Sequence, residues 1–157
     1  MSDMRLLADV AVRWVEGLPR QWEAYGRPFE RRLLDVAVDA LQELGPIQAQ
    51  LVVANEDLHA GNVLRSEREP WLVIDPTPLA AERDFTAVAM VRDRMEDVVG
   101  EPRPLERLRR RLDRMSSNRS DRDRLRGWTI PHTIAWGFDP SELHATRLAH
   151  ARLLLDA

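Results

Sequence analysis

The stretch LVVANEDLHAGNVL, residues 51–64, decides how the rest of the chain is interpreted. It opens with a short, mostly β-branched apolar run that is typical of a strand, and it closes with a briefer apolar run. The polar loop between the two runs contains Asp57 and Asn62. A third apolar run, WLVI at residues 71–74, leads directly into Asp75. The pattern predicts a small β-hairpin region that carries a polar loop.

Asp57, Asn62 and Asp75 are the candidate functional side chains of this region. Strand ends are rigid and loops are where functional groups project, so the three side chains could converge on one point. An amide oxygen and a carboxylate suit Mg²⁺, which proteins bind through few carboxylates together with the phosphates of a substrate. The remaining aspartate could accept or orient the proton of an attacking hydroxyl. Such a set of groups is suited to phosphoryl transfer.

Two helices are predicted before the strands. From Leu6 the apolar residues recur with the helical period, which predicts a helix capped by Ser2 or Asp3 and stopped at Pro19. A second apolar stripe predicts a helix over residues 33–44, because a glycine-proline pair follows it.

About four helices are predicted after the strands, from apolar spacing, a capping pair and prolines. They cover residues 85–100, residues 105–115, a stretch that is capped by Ser120 with Asp123 and kinked at Pro131, and a last helix from Asp139-Pro140 through Leu155. The predicted fold class is therefore α+β and predominantly α-helical.

The composition favours one soluble globular domain. The chain has 157 residues, of which 44% are hydrophobic and 31% charged, so it can bury one compact core. Its net charge is -3, which disfavours nucleic acid as a partner. No apolar run approaches the roughly 18 to 20 residues that span a bilayer. We therefore expect no membrane partner. The sequence has no cysteine, which excludes a disulfide scaffold and a thiolate site and favours a cytoplasmic protein.

The basic residues and the glycines exclude further chemistry. The sequence has no lysine, so all 23 basic residues are arginines. Schiff-base chemistry and a phosphate-binding lysine are therefore impossible within these residues. The seven glycines are too scattered to form a G-x-G-x-x-G loop or a Walker loop.

Several residues that could suggest function are given structural interpretations. Residues 103–126 contain ten arginines against four acidic residues and no aromatic residue, which favours a solvated helix face over a nucleic-acid surface. His59 is interpreted as a hydrogen-bonded structural residue rather than a metal ligand. The other histidines are interpreted as incidental and the five tryptophans as mainly core residues; they are His132, His144 and His150, and Trp14, Trp22, Trp71, Trp128 and Trp136.

The loop and the run after it resemble a known family. The matching segments are Asp57-Leu58-His59, Asn62-Val63-Leu64 and EPWLVIDP at residues 69–76. They resemble the catalytic loop of the aminoglycoside phosphotransferases, relatives of the protein kinases, in the streptomycin and hydroxyurea branch. The family pattern has His-Gly before the first aspartate, where this chain has Asn55-Glu56.

The resemblance implies the roles of the three residues. Asp57 would be the catalytic base or hydroxyl-orienting carboxylate, and Asn62 and Asp75 would be the metal ligands. The implied reaction transfers the ATP γ-phosphate, with Mg²⁺, to an alcohol group of an aminoglycoside or hydroxyurea-type small molecule. The resemblance identifies neither nucleotide-binding nor acceptor-binding residues.

The resemblance also implies that residues 1–157 form a single domain, the C-terminal lobe of a kinase-like fold without the N-terminal nucleotide-binding lobe. The partner would be a separate chain that supplies this lobe, or a second copy of the chain. The alternative is a non-catalytic remnant or binding module of the same fold. In either case an apolar surface is expected beside the loop, at Val63, Leu64 and Ile74.

Overall fold

The computed structural model describes residues 4–48, 50–136 and 145–157. Within these ranges the chain is mostly helical and carries two small antiparallel strand pairs. The α+β fold class predicted from the sequence is therefore confirmed. The elements are α1 (Leu7–Ala24), α2 (Arg31–Leu44), β1 (Leu51–Asn55), β2 (Val63–Leu64), β3 (Leu72–Val73), β4 (Pro78–Glu82), α3 (Val88–Arg92), α4 (Met95–Val99), α5 (Pro104–Met115), α6 (Arg119–Ala135) and α7 (Ala145–Asp156).

Helix α1 is longer than its sequence pattern predicts. The expected stop at Pro19 is wrong, because the helix continues to Ala24. Leu18 and Trp22, on either side of the proline, are buried. The Trp22 indole N–H donates to the carbonyl oxygen of Phe29 at 2.9 Å. The stabilisation from burying these side chains outweighs the free energy lost because the proline cannot donate a helical hydrogen bond.

The strands form two separate pairs around the loop. β1 pairs antiparallel with β4, with Ala54 opposite Leu79. β2 pairs antiparallel with β3, with Val63 opposite Val73. The predicted hairpin is therefore β2–β3, but the polar loop connects β1 of one pair to β2 of the other. Strand β4 was not predicted because its sequence, PLAAE, has no β-branched residue.

The helical stretch predicted over residues 85–100 is interrupted. A short 3-10 segment, Arg83–Ala87, precedes α3, and the chain turns between α3 and α4. Arg94 has a φ of 49° at this turn, a left-handed conformation that is uncommon for residues other than glycine. Arg111 of α5 donates to the backbone carbonyl oxygens of Val91 and Asp93. These contacts hold the turn in place.

Helix α6 lies at the centre of the fold and packs against α2, α3 and α7. Its N-cap is Asn118, whose side chain accepts from the backbone N–H of Asp121 at 3.1 Å, so the capping pair predicted at Ser120 and Asp123 is wrong. The helix continues through Pro131. The predicted caps at Ser2, Asp3 and Asp139-Pro140, and His144, lie outside the described residues.

Two structural interpretations need correction. Trp128 and Trp22 are buried as predicted, but Trp71 is 65% exposed. Several arginines of residues 103–126 are structural rather than solvated. Arg124, for example, pairs with the buried carboxylate of Glu82 at 2.6 Å. None of the helices in the described ranges is both long and apolar enough to cross a membrane.

Candidate active site

The loop that carries Asp57 is tied to the segment that follows Asp75. The side-chain oxygen of Asn55 accepts from the backbone N–H of Asp57 at 3.2 Å and from that of Thr77 at 3.0 Å. The backbone N–H of Glu56 donates to the Thr77 carbonyl oxygen at 3.0 Å. Asn55, the last residue of β1, and Glu56 therefore hold both aspartate-bearing segments together.

Asn62 contacts Asp57 directly. Its amide nitrogen donates to the Asp57 carbonyl oxygen at 3.0 Å and lies 3.4 Å from the carboxylate oxygen Oδ2. Asn62 ends a short 3-10 turn, Ala60–Asn62, that delivers the chain into β2. Since the amide nitrogen is used within the loop, the amide oxygen is the atom through which Asn62 could ligate a cation.

Asp75 lies at the same end of the β2–β3 pair as Asn62. The backbone N–H of Ile74 donates to the Asn62 carbonyl oxygen at 3.0 Å, which places the next residue, Asp75, beside the loop. Asp75 is exposed and has a φ of 47°. Aspartate is among the few residues that tolerate this left-handed conformation, and such backbone angles cluster at functional sites.

The donor set in this cluster fits a hard cation. Asn62 supplies an amide oxygen and Asp75 a carboxylate, the oxygen ligands that Mg²⁺ takes in small number beside substrate phosphates. No group of three or more His, Asp or Glu side chains within residues 4–48, 50–136 and 145–157 is placed to hold a metal ion by itself. A cation at this site would therefore draw further ligands from phosphate and water.

His59 holds the shape of the loop. Its Nδ1 accepts from the backbone N–H of Gly61 at 3.1 Å, so the ring proton lies on Nε2, which is 3.8 Å from the Asp57 carboxylate oxygen Oδ2. A Cβ at Gly61 would lie 2.8 Å from the His59 ring. A side chain at Gly61 would displace the imidazole from its hydrogen bond, because the ring packs against the glycine. This hydrogen bond agrees with the structural role expected of His59.

A cavity of about 180 Å³ opens beside Asp57. Its opposite wall is the turn between α3 and α4. The Asp93 carboxylate at this turn accepts from the backbone N–H of Ala60 at 3.0 Å, which links the wall to the loop. The cavity is lined by Asp57, His59, Ala89, Arg92, Asp93, Arg94, Met95 and Glu96. Its lining is mostly charged, and of the three candidate side chains it includes Asp57 but neither Asn62 nor Asp75.

Sequence reasoning missed a buried charged cluster behind the loop. Glu56 is only 1% exposed, and its Oε2 accepts from the Arg5 guanidinium at 2.5 Å. Burial raises the pKa of Glu56, although Arg5 opposes the shift. His132, which was interpreted as incidental, is fully buried, with its Nε2 3.9 Å from Glu56 Oε1. Its Nδ1 lies 2.6 Å from Nη1 of Arg92. The substitution of the usual His-Gly by Asn55-Glu56 was the one signal that pointed to this cluster.

Comparison with known proteins places the chain in a family. The family described as aminoglycoside/hydroxyurea antibiotic resistance kinase matches residues 13–139. The chain is 39% identical to a streptomycin 6-kinase of Streptomyces glaucescens over 127 residues, 80% of this chain and 41% of that protein. It is 35% identical to a hydroxyurea phosphotransferase of Kitasatospora aureofaciens over 162 residues, 97% of this chain and 44% of that protein.

A streptomycin 6-kinase of Streptomyces griseus is 34% identical over 135 residues, 83% of this chain and 43% of that protein. The chain thus spans about two fifths of the length of these relatives. No solved structure matches it. The family match covers most of the chain and includes the loop, the β2–β3 pair and the cavity wall. The chain therefore belongs to the aminoglycoside/hydroxyurea antibiotic resistance kinases.

Proposed function

We propose that the chain carries the acceptor-side half of an ATP-dependent phosphotransferase that acts on an alcohol group of a small antibiotic-like molecule. The observation that supports this most strongly is the pair of contacts that Asn62 makes. Its amide nitrogen donates to Asp57, and its carbonyl oxygen accepts from Ile74, the residue before Asp75. The relatives are named as streptomycin 6-kinases and a hydroxyurea phosphotransferase. Streptomycin-type and hydroxyurea-type compounds are therefore the proposed acceptors.

Asp57 would orient the acceptor. Its carboxylate lines the cavity, so a hydroxyl held there can donate its hydrogen bond to Asp57 and lose its proton to it as the oxygen attacks the γ-phosphorus. The bond between that phosphorus and the bridging oxygen breaks, and ADP departs. Phosphoryl transfer depends mainly on position and charge. The hydrogen bond from Asn62 contributes by fixing the Asp57 carboxylate.

Asn62 and Asp75 would hold Mg²⁺ through their side-chain oxygens. When bound, the ion would neutralise charge on the phosphates of the nucleotide. The strands fix the two ligands relative to each other, because the Asn62 carbonyl oxygen accepts from Ile74, the residue before Asp75. Rigid placement of ligands is what such a site requires.

The nucleotide would also need groups that residues 1–157 do not contain, namely a lysine and a glycine-rich loop. The strands that flank the loop and Trp71, which directly precedes β3, expose large apolar side chains. Their exposure is 42 to 65%, and they are Leu51, Val53, Leu64, Trp71 and Val73. Of the residues predicted to form an apolar surface, Leu64 is among these, while Val63 and Ile74 are half-buried. An exposed apolar surface of this kind supports the proposal that a lobe or partner chain covers the strands and supplies the missing groups.

Complementation in trans tests the proposal. Residues 1–157 are mixed with the part of the Streptomyces glaucescens streptomycin 6-kinase that the chain does not match, together with radiolabelled ATP, Mg²⁺ and either streptomycin or hydroxyurea. We expect labelled acceptor from the mixture, and none when Asp57→Asn replaces the native residue. Transfer that survives Asp57→Asn would contradict the role of Asp57.

A further inference from the structure

The buried cluster behind the loop connects three elements that are far apart in the sequence. Glu56 follows β1, His132 lies on α6 and Arg92 ends α3. Arg92 is the member of the cluster that reaches the Asp57 cavity, where it forms part of the wall. The cluster therefore runs from the interior of the protein to the candidate site.

The tautomer of His132 follows from its partners. A guanidinium group only donates hydrogen bonds, so His132 Nδ1, which lies 2.6 Å from Arg92 Nη1, must be the acceptor. The ring proton then lies on Nε2, which faces Glu56 Oε1 at 3.9 Å. These two atoms have no other hydrogen-bond partner among the described residues. An approach of about 1 Å would complete a hydrogen bond between them.

The ring of His132 cannot easily leave this position. It stacks on Trp136 with a centroid distance of 5.3 Å, and the edges of Trp14 and Phe85 close its remaining sides at 5.7 and 5.6 Å. Burial, reinforced by the charge of Arg92, holds the pKa of His132 well below its ordinary value. The ring is therefore neutral and fixed in orientation.

Arg92 needs such support because it is largely buried. Burial lowers its pKa to about 10, so it still carries a positive charge at neutral pH. The carboxylates of Asp57 and Glu56 both act on this charge. Its Nε has no hydrogen-bond partner among the described residues, which leaves the contact with His132 as the bond that fixes the guanidinium.

We infer that His132 is a positioning residue: as the Nε2–H tautomer it connects Glu56 to Arg92 and fixes the Arg92 guanidinium in the wall of the Asp57 cavity. The inference rests on the proposed function, in which this cavity receives the acceptor. It also gives Glu56 a role. Glu56 stands where the family pattern has glycine. One oxygen of its carboxylate pairs with Arg5, and the other faces His132.

Nitrogen NMR of uniformly labelled residues 1–157 tests the inference without any need for phosphoryl transfer. In the wild type we expect His132 to be protonated at Nε2 and unprotonated at Nδ1 at neutral pH. We also expect a resolved N–H signal from Nε of Arg92, because its side chain is fixed. A proton on Nδ1, or a charged ring, would overturn the inference.

Two substitutions at His132 separate positioning from packing. His132→Phe keeps the ring among its aromatic neighbours but removes the acceptor, and we expect the Arg92 Nε–H signal to collapse to the averaged position of mobile arginines. His132→Asn places an amide oxygen near the position of Nδ1, and we expect it to retain the resolved signal. Thr133→Val is the matched control, because Thr133 is buried on the same helix and its hydroxyl bonds only within α6.

An unchanged Arg92 signal in folded His132→Phe would overturn the inference. If His132→Phe does not fold, Arg92→Met gives the reciprocal test: the His132 Nδ1 resonance should then move towards that of a ring nitrogen that accepts no hydrogen bond, and an unmoved Nδ1 resonance would overturn the inference. Failure of the proposed function is distinguishable from these outcomes. It would leave the NMR signature intact and remove only the transfer of phosphate in the complementation mixture.

Discussion

The amide nitrogen of Asn62 lies 3.0 Å from the carbonyl oxygen of Asp57 and 3.4 Å from its carboxylate oxygen Oδ2. One side chain thus fixes the backbone and the carboxylate of its neighbour in the loop. Its amide oxygen is left for a cation. The proposed base and the proposed metal ligand are therefore a single hydrogen-bonded unit rather than two independent groups.

Asn62→Ala removes this unit. We expect the free energy of unfolding to fall by about 1 kcal/mol, since hydrogen bonds in a half-buried loop are lost. We expect phosphoryl transfer in the complementation mixture to fall by about 100-fold or more, because the base is no longer held and a metal ligand is missing. Gln48→Ala is the control. Gln48 donates to the Gly45 carbonyl oxygen at 3.1 Å, away from the loop, so its loss should leave transfer unchanged. Equal effects of the two variants on transfer would argue against the unit.

Gly61→Ala tests the contact between the loop and His59. The added Cβ would lie 2.8 Å from the imidazole and force the ring away from its hydrogen bond. We expect denaturant titration to show a loss of about 1 kcal/mol, the scale of one lost hydrogen bond. Gly17→Ala is the control, because nothing lies within 4 Å of a Cβ at this helical position. It should stabilise the protein by about 0.5 to 1 kcal/mol. A gain in stability from Gly61→Ala would show that the contact with His59 does not stabilise the loop.

The pH dependence of stability separates Glu56 from His132. Burial raises the pKa of Glu56 above its ordinary value of 4.5, so its stabilising contribution is complete below that value and is lost as the pH rises through the raised pKa. Burial lowers the pKa of His132 below its ordinary value of 6.5, so its contribution is complete above that value and is lost as the pH falls. Arg5, Arg13 and Arg92 are the charged groups that act on Glu56.

Between about pH 4.5 and 6.5 the two residues therefore change the free energy of unfolding in opposite directions as the pH rises. With increasing pH, the free energy of unfolding of Glu56→Gln should rise more steeply than that of the wild type, by up to about 1.4 kcal/mol per pH unit. For His132→Phe the rise should be shallower than for the wild type. Glu43→Gln, at an exposed carboxylate on α2, is the control. Parallel curves for the wild type and Glu56→Gln would contradict the buried environment of Glu56.

Much of the fold could be predicted from apolar spacing. Gly45 marks the end of α2, and the leucine spacing predicts α5 to within one residue. Strand β4 could not be predicted, since it exists only because β1 needs a partner and because the Ala80 N–H finds the Arg5 carbonyl oxygen at 2.8 Å. The break at Arg94 also depends on a distant residue, Arg111, which holds the turn.

The three loop residues could be proposed from the sequence because they lie within two short segments whose strands bring them together. The structure shows Asn62 in hydrogen-bond contact with Asp57 and places Asp75 directly after Ile74, the backbone partner of Asn62; the roles of all three remain a prediction. The cluster around His132 could not be proposed in this way. Its members come from three distant parts of the chain. His132 and Arg92 have the pattern of ordinary helix residues, and Glu56 is marked only by its departure from the family pattern.

Nucleotide affinity tests the need for a second lobe. Residues 1–157 contain no lysine and no glycine-rich loop, so a nucleotide would be held from one side and remain open to water, which weakens charge interactions. We expect calorimetry with ATP and Mg²⁺ to give dissociation constants no tighter than the millimolar range. Micromolar binding by residues 1–157 alone would contradict the proposal that a lobe or partner chain is required.

Paramagnetic broadening by Mn²⁺ with ATP tests the central claim most directly, because it reports which side chains surround the ion without requiring turnover. We expect the amide-group signals of Asn62 and the backbone N–H of Asp75 to broaden first in residues 1–157. Replacing Asp75 by asparagine should reduce the broadening at Asn62, whereas Asp35→Asn, at an exposed carboxylate on α2, should not change it. Broadening confined to acidic residues away from the loop, or unaffected by Asp75→Asn, would contradict the assignment of Asn62 and Asp75 as the metal ligands of a phosphotransferase site.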